Sequence, residues 1–267
     1  MKYRNKMIEY VYKYFGETIY DAVKIEISKA TFASTQDILD NGPKVVSKYG
    51  ERYTITVLNL KHTYEDILEV INDANWKIDA KEALRINGNV THNLNAGSGF
   101  WRISNVRVLI SREGQEDKFM TPELRKGEYY ENMINSVISN NKYTSDDVIS
   151  LMADMMKEQC FRDGNKRTAL IFANTLLLQK NLGYIRVDNK KEYIANILDY
   201  YENKITNKQF VEKINNGFYV SAEQLEQNHE LATDEEMESL NNAKESLRQD
   251  KQEEISKDVE QSNGRGR

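Results

Sequence analysis

The run Gln159-Cys160-Phe161-Arg162-Asp163-Gly164-Asn165-Lys166-Arg167 gathers the residue types in this chain most able to do chemistry. Asp163-Gly164-Asn165 reads as a tight turn. From Lys166 to Lys180 the chain is apolar on nearly every face, with Ala169, Leu170, Ile171, Phe172, Leu176 and Leu177, which predicts a buried central helix. A turn that opens such a helix aims unpaired backbone N–H groups at one point, where the helix dipole adds partial positive charge. Phosphates and carboxylates bind at such points. Lys166 and Arg167 add full charges there, and Asp163 is suitably placed to hold a divalent cation that bridges phosphate oxygens. Asp163, Gly164, Asn165, Lys166 and Arg167 together describe a phosphate cradle, with Asp163 as its metal ligand. A bare Asp-Gly-Asn is more often an ordinary turn with solvated neighbours. The complete string and its context outweigh that reading.

The elements around the string are mostly helical. Thr144-Ser145-Asp146-Asp147 caps a helix whose Val148, Ile149, Met152, Met155 and Met156 recur on one face and which delivers the chain to Gln159. Upstream, Tyr64–Trp76 and Asp79–Leu94 read as helices, and Ala96-Gly97-Ser98-Gly99 as a loop. Phe100–Ile110 alternates with a change of phase near Asn105, which predicts a bent strand that Lys118–Met120 could pair with. Thr121-Pro122-Glu123 reads as a helix start with Pro at its first position. Helices over about 190–202 and 207–215 complete the body. In the first 60 residues, Lys6 to about Tyr14 predicts a helix, and the β-branched run Tyr53–Leu58 predicts a strand.

Two prolines and 39% hydrophobic residues favour an all-α fold over a sandwich or barrel. One cysteine, Cys160, and three histidines argue against a disulfide framework or a structural zinc site, and fit a reducing cytoplasm. Neither a signal-length apolar run nor a membrane-spanning stretch is present, which predicts no membrane partner. The net charge of −5 is uneven. From Ser221 onward thirteen acidic residues face six basic ones, a balance of −7 that leaves +2 for residues 1–220. A near-neutral body argues against nucleic acid as a partner. The expected organisation is an N-terminal mixed region over 1–62, a main domain over 63–220, and an acidic disordered tail over 221–267 that could meet a basic partner.

The string resembles the Fic/Doc motif, His-x-Phe-x-Asp/Glu-Gly/Ala-Asn-Gly/Lys-Arg, at every position but the first, where Gln159 stands. The likeness extends over roughly Tyr64 to Asn215. It implies a Fic-type helical bundle around a buried central helix, with a small β-hairpin flap in which Asn105, Val106, Arg107 and Val108 hold a target by strand addition. It also implies ATP or another nucleoside triphosphate with Mg²⁺ as cofactor, and transfer of AMP, another nucleotide or a phosphate to a Ser, Thr or Tyr hydroxyl of a target protein. Leu170 stands where many AMP-transferring members carry a second arginine, which leans toward the Doc-like Lys-Arg subgroup.

In the family the motif histidine takes the proton of the attacking hydroxyl, work that a glutamine amide cannot do near neutral pH. Gln159 leaves three readings open. The domain is a pseudoenzyme that binds nucleotide or protein, a slow transferase, or an enzyme with a relocated base at Cys160, His92 or Asp154. The resemblance also raises self-restraint, which in many members uses a helix with Ser/Thr-x-x-x-Glu-Gly/Asn. The nearest match is Glu26, but Ala22 and Ile27 depart from the pattern, so Glu26 is expected to be a solvated charge.

Overall fold

In the computed structural model, which describes residues 6–71, 73, 76–139 and 142–228, helices dominate and two small two-stranded sheets accompany them. The helices are α1 (Lys6–Lys13), α2 (Phe15–Glu26), α3 (Phe32–Asn41), α4 (Val46–Tyr49), α5 (Glu51–Val70), α6 (Ala80–Val90), α7 (Gly127–Ile138), α8 (Ser145–Glu158), α9 (Asn165–Gln179), α10 (Lys190–Tyr201), α11 (Asn207–Gly217) and α12 (Ala222–Gln227). The strands β1 (Val108–Ile110) and β2 (Lys118–Met120) pair antiparallel with Leu109 opposite Phe119, and β3 (Gly183–Ile185) pairs antiparallel with β4 (Tyr219–Ser221). The all-α class with a small hairpin is what the structure has. Among the described residues, no helix is long and apolar enough to cross a membrane.

Helix α9 is the axis of the core, with thirteen of its fifteen residues buried. It packs against α8, α6 and α2. A helix enclosed on all sides must satisfy its polar side chains internally. Asn174 does so by accepting from the Ile185 N–H at 2.8 Å and donating to the Ile185 carbonyl at 3.1 Å, which stitches β3 to α9. The start of α8 carries a reciprocal cap between Thr144 and Asp147.

Three local expectations are corrected. Residues 53–58 lie inside helix α5, whose buried Tyr53, Val57, Leu60, Tyr64, Ile67 and Leu68 recur at helical spacing. The hydroxyls of Thr54, Thr56 and Thr63 bond back to carbonyls four residues earlier, so the β-branched run is satisfied as helix. The same helix crosses the boundary expected at 62/63. Of Phe100–Ile110 only the last three residues form a strand, and α7 begins at Gly127 instead of near Thr121. Both changes trace to the buried Arg102. Its backbone N–H donates to the Cys160 carbonyl at 2.9 Å, and its guanidinium donates to the carbonyls of Ser104, Pro122, Glu123 and Glu158. That fork ties the carbonyls of Pro122 and Glu123 to the chain entering the motif loop at Glu158 and Cys160.

The strand pair β3–β4 and helix α12, with Leu225 fully buried, carry the folded body past the start of the expected tail at 221. The remainder of that tail, 229–267, lies outside the described residues.

Candidate functional site

Gly164 sets the geometry of the turn. Its φ of 74° is left-handed, and a Cβ there would sit 2.6 Å from Thr91 Cγ2. Gly164→Ala is therefore expected to lose more than about 1–2 kcal/mol, seen as a fall of about 2–8 °C in thermal midpoint. An unchanged midpoint would mean the turn does not have this shape.

The loop from 159 to 165 is clamped by amides. Asn165 accepts the Phe161 N–H at 2.8 Å and donates to the Phe161 carbonyl at 2.9 Å and to Gln159 Oε1 at 3.0 Å. Gln159, itself in a left-handed conformation with φ 48°, donates through Nε2 to the Met156 carbonyl at 2.5 Å and to the Tyr201 hydroxyl at 3.1 Å. Both ends of the Gln159 amide are committed inside the protein. The Asn165 carboxamide is likewise occupied, which leaves its backbone N–H as its contribution to the cradle. Phe161 is buried and its ring stacks on Trp101 at 5.2 Å.

The start of α9 has no side-chain cap. Its first N–H groups open into a pocket of about 240 Å³ lined by Glu26, Val106–Leu109, Gln159 and Arg162–Arg167. Predicted residues Asp163, Gly164, Asn165, Lys166 and Arg167 thus share one cavity with Gln159, and Val106, Arg107 and Val108 form its opposite wall. Asn105 is exposed and not among the lining residues. The wall begins ahead of β1 and continues into it, and the Arg107 guanidinium lies 4.2 Å over the Phe119 ring. At the base of this hairpin Arg112 donates to Asp199 at 2.8 Å and to Glu202 at 2.7 Å, which ties the flap to the end of α10.

Arg167 decides the electrostatics. It is 1% exposed, and none of its three guanidinium nitrogens has a hydrogen-bond partner. Burial pulls its pKa down, while Glu26 and Asp163 oppose that pull. Burial also lowers the Lys166 ammonium below the usual lysine value. Lys166 has no ion-pair partner among the described residues. Leaving a buried cation unsatisfied is costly, so this end of the cavity is built for an anion.

The carboxylate nearest to Arg167 is that of Glu26, 3.8 Å away. Glu26 is the last residue of α2, where the helix's own dipole disfavours a negative charge. It is held by Arg52 at 3.0 Å on one side and by Arg167 on the other. The expectation of a freely solvated Glu26 is corrected: the packing of α2 on α9 carries it into the cradle.

Asp163 Oδ2 accepts from Asn95 at 2.8 Å and Oδ1 from the Gly164 N–H at 2.6 Å. Among the described residues no group of three or more His, Cys, Asp or Glu side chains could form an all-protein metal cage. Asn87 was missed in sequence. Its carboxamide joins the Asp163 carbonyl, Thr168 Oγ1 and the Gly99 N–H, so it ties α6, the glycine loop and the motif turn together. A buried asparagine in an otherwise amphipathic helix carries no signal that separates it from a solvated one. The candidate replacement bases lie elsewhere. Burial pushes the Cys160 thiol well above its ordinary range, Asp154 is engaged by Tyr200 and Asn207, and exposed His92 is not among the cavity's lining residues.

Residues 77–177 match the family model described as Fic/DOC family. That segment is a Fic domain. It spans α6, the flap, α7, α8 and nearly all of α9, and so contains the whole motif loop. Among solved structures, Fic-1 from C. elegans is 18% identical with a TM-score of 0.56, over 77% of this chain and 61% of that one. A Fic family protein from Desulfovibrio desulfuricans is 16% identical with a TM-score of 0.56, over 86% and 68%. A Fic domain containing signaling protein from Bacteroides thetaiotaomicron is 14% identical with a TM-score of 0.53, over 79% and 87%. At these identities the likeness is one of fold, and the chain spans about three fifths of the Fic-1 chain it matches. No curated protein matches the chain.

Proposed function

We propose that this Fic domain binds the phosphates of a nucleoside triphosphate at the start of α9 and presents them to a target hydroxyl held along the flap, without a general base. The observation that carries this reading is Arg167, a buried guanidinium with no hydrogen-bond partner, beside an uncapped helix N-terminus. The free N–H groups, Lys166 and Arg167 would bind phosphate oxygens.

Asp163 suits Mg²⁺ because that ion takes one or two carboxylates plus substrate phosphates and waters instead of a full protein cage. When bound, the ion would neutralise charge on the phosphates. Val106, Arg107 and Val108 would align the target backbone, and Asn105 would extend that edge.

Gln159 stands where the family carries its histidine. Transfer of a nucleoside monophosphate forms a bond from the target hydroxyl to phosphorus, breaks the bond to the leaving phosphate and releases the hydroxyl proton. The amide cannot take that proton, and its two ends already bond to Asn165, Met156 and Tyr201. Turnover is then about 10²- to 10⁴-fold below that of a domain with its base, and nucleotide-dependent binding of a partner is the main activity. Leu170 is buried at 1% exposure, so the terminal phosphate gains no second arginine from that position.

Calorimetric titration of ATP with Mg²⁺ tests the reading against Arg167→Met. The Arg167 guanidinium makes no hydrogen bond, and Glu26, its one ionic contact at 3.8 Å, keeps Arg52 at 3.0 Å, so an apolar side chain of similar reach is expected to leave the ligand-free protein folded. The substitution should weaken nucleotide binding about 10- to 100-fold, the loss expected for charged hydrogen bonds. Equal affinity in both proteins would remove Arg167 from the site and the reading with it.

A further inference from the structure

Beside the cradle lies a second groove, of about 780 Å³, between the 97–104 segment, residues 124–127 and Arg162. Its lip carries Phe100 at 71% exposure, Ile103 at 92% and Leu124 at 40%. Single exposed apolar residues are ordinary. Three around one groove, on a segment whose backbone is pinned to Cys160, form a prepared apolar surface.

Every charged residue lining the groove is basic. Arg102 is consumed by the carbonyls it bonds, and Arg125 by Glu123 at 2.6 Å. Lys126 and Arg162 have no ion-pair partner among the described residues. Arg162 also lines the phosphate cavity, so the two recesses adjoin at this side chain. The floor is closed to stacking by a nucleobase, because Trp101 already packs against Phe161 at 5.2 Å and Tyr130 at 5.6 Å.

We infer that this groove docks a segment of the target protein that presents a bulky apolar side chain flanked by carboxylates. The apolar side chain seats among Phe100, Ile103 and Leu124, and the carboxylates meet Lys126 and Arg162. The inference rests on the proposed function in one respect, that the docked protein is the one whose hydroxyl reaches the cradle. It adds the chemistry by which a target is chosen: an acidic, apolar motif adjoining the modified hydroxyl. Phosphate-bearing partners are disfavoured because two free cations make a weak counterion sink, whereas the apolar lip has no use on a nucleic acid backbone.

The test uses the full chain and an array of eight-residue peptides that carry Phe, Leu, Met, Ala or Lys at the centre and Asp/Glu or Lys/Arg on the flanks. Signal is expected on acidic peptides with Phe, Leu or Met. It should fall at least about 10-fold with Ile103→Asp, the loss of one buried apolar anchor, and also with Lys126→Glu. Raising salt from about 0.05 to 0.5 M should weaken it. Ile103 is almost fully exposed and outside the cradle, so Ile103→Asp leaves ATP titration unchanged. A failed groove with intact ATP binding and a failed cradle with intact peptide binding are therefore separate outcomes.

Signal that ignores flank charge, or that survives Ile103→Asp, would overturn the inference. So would binding to vesicles of anionic phospholipid without binding to any peptide. Peptide binding that appears only after Asp234, Glu235, Glu236 and Glu238 are changed to Lys would overturn it as well, by showing the groove filled by the chain's own acidic segment.

Discussion

Glu26→Ala is expected to make the ligand-free protein less heat-stable and, at the same time, a tighter binder of nucleoside triphosphate. The two effects have one cause. Glu26 lies 3.8 Å from a guanidinium that is 1% exposed and otherwise without a partner, so removing the carboxylate strands a buried charge. Breaking a fully buried, hydrogen-bonded pair costs about 3–5 kcal/mol. Glu26 is 25% exposed and its contact is longer than a hydrogen bond, so a loss of about 1–2 kcal/mol is expected, equivalent to about 2–8 °C. A phosphate arriving at Arg167 in the wild type must displace or repel that carboxylate. Two unit charges at about 4 Å interact by about 4 kcal/mol in a partly screened site. Relief of part of that repulsion should raise affinity about 10- to 100-fold. Calorimetry and thermal scans with and without ATP and Mg²⁺ measure both numbers. A variant that loses stability without any gain in affinity would make Glu26 a structural pair and not a competitor of the ligand.

Gln159→His should raise labelling of a target protein by about 10²- to 10⁴-fold, the usual contribution of a positioned base. The gain is not free of structural cost. The glutamine makes three hydrogen bonds, to Met156, Tyr201 and Asn165, whereas a neutral imidazole offers one donor and one acceptor. One bond is therefore lost, worth about 1 kcal/mol, while Asn165 keeps its bonds to Phe161. Burial holds the Tyr201 hydroxyl protonated, so the group that accepts from Gln159 Nε2 can instead donate to the new side chain. The diagnostic is the pH profile. With histidine as base, the rate rises with pH through the imidazole's ordinary value of about 6.5, a rise the wild type lacks. If the variant binds nucleotide as before and labels no faster at any pH, the cavity is a binding site and not a transfer site.

What the sequence could reveal followed the kind of interaction at stake. Helices α8 and α9 were legible because their signals are local: a reciprocal Thr144–Asp147 cap, a one-sided apolar stripe, and then a run apolar all round. The turn at Asp163-Gly164-Asn165 was legible for the same reason. Residues 53–58 misled because β-branched propensity is a weak local preference, overridden in α5 by burial of Tyr53, Val57, Leu60 and Tyr64 at helical spacing. Residues 121–126 misled because Arg102, some twenty positions earlier, claims the carbonyls of Pro122 and Glu123. Glu26 and Asn87 reach the site from helices that precede the motif by more than seventy residues, and neither sits in a local pattern that separates it from a surface residue. Tyr201 was hidden in the same way, at the far end of α10.

The anchorage of the flap has a mechanical consequence. Beyond the buried Ile110, the hairpin is fastened to the body through the Arg112 guanidinium and the carboxylates of Asp199 and Glu202, and Glu202 is shared with Lys204 at 2.9 Å. Such a joint stiffens in dilute buffer and slackens as ions compete for its charges. On the proposed function, a target aligned along this hairpin would be held in register less often as ionic strength rises, apart from any change in how strongly it is attracted.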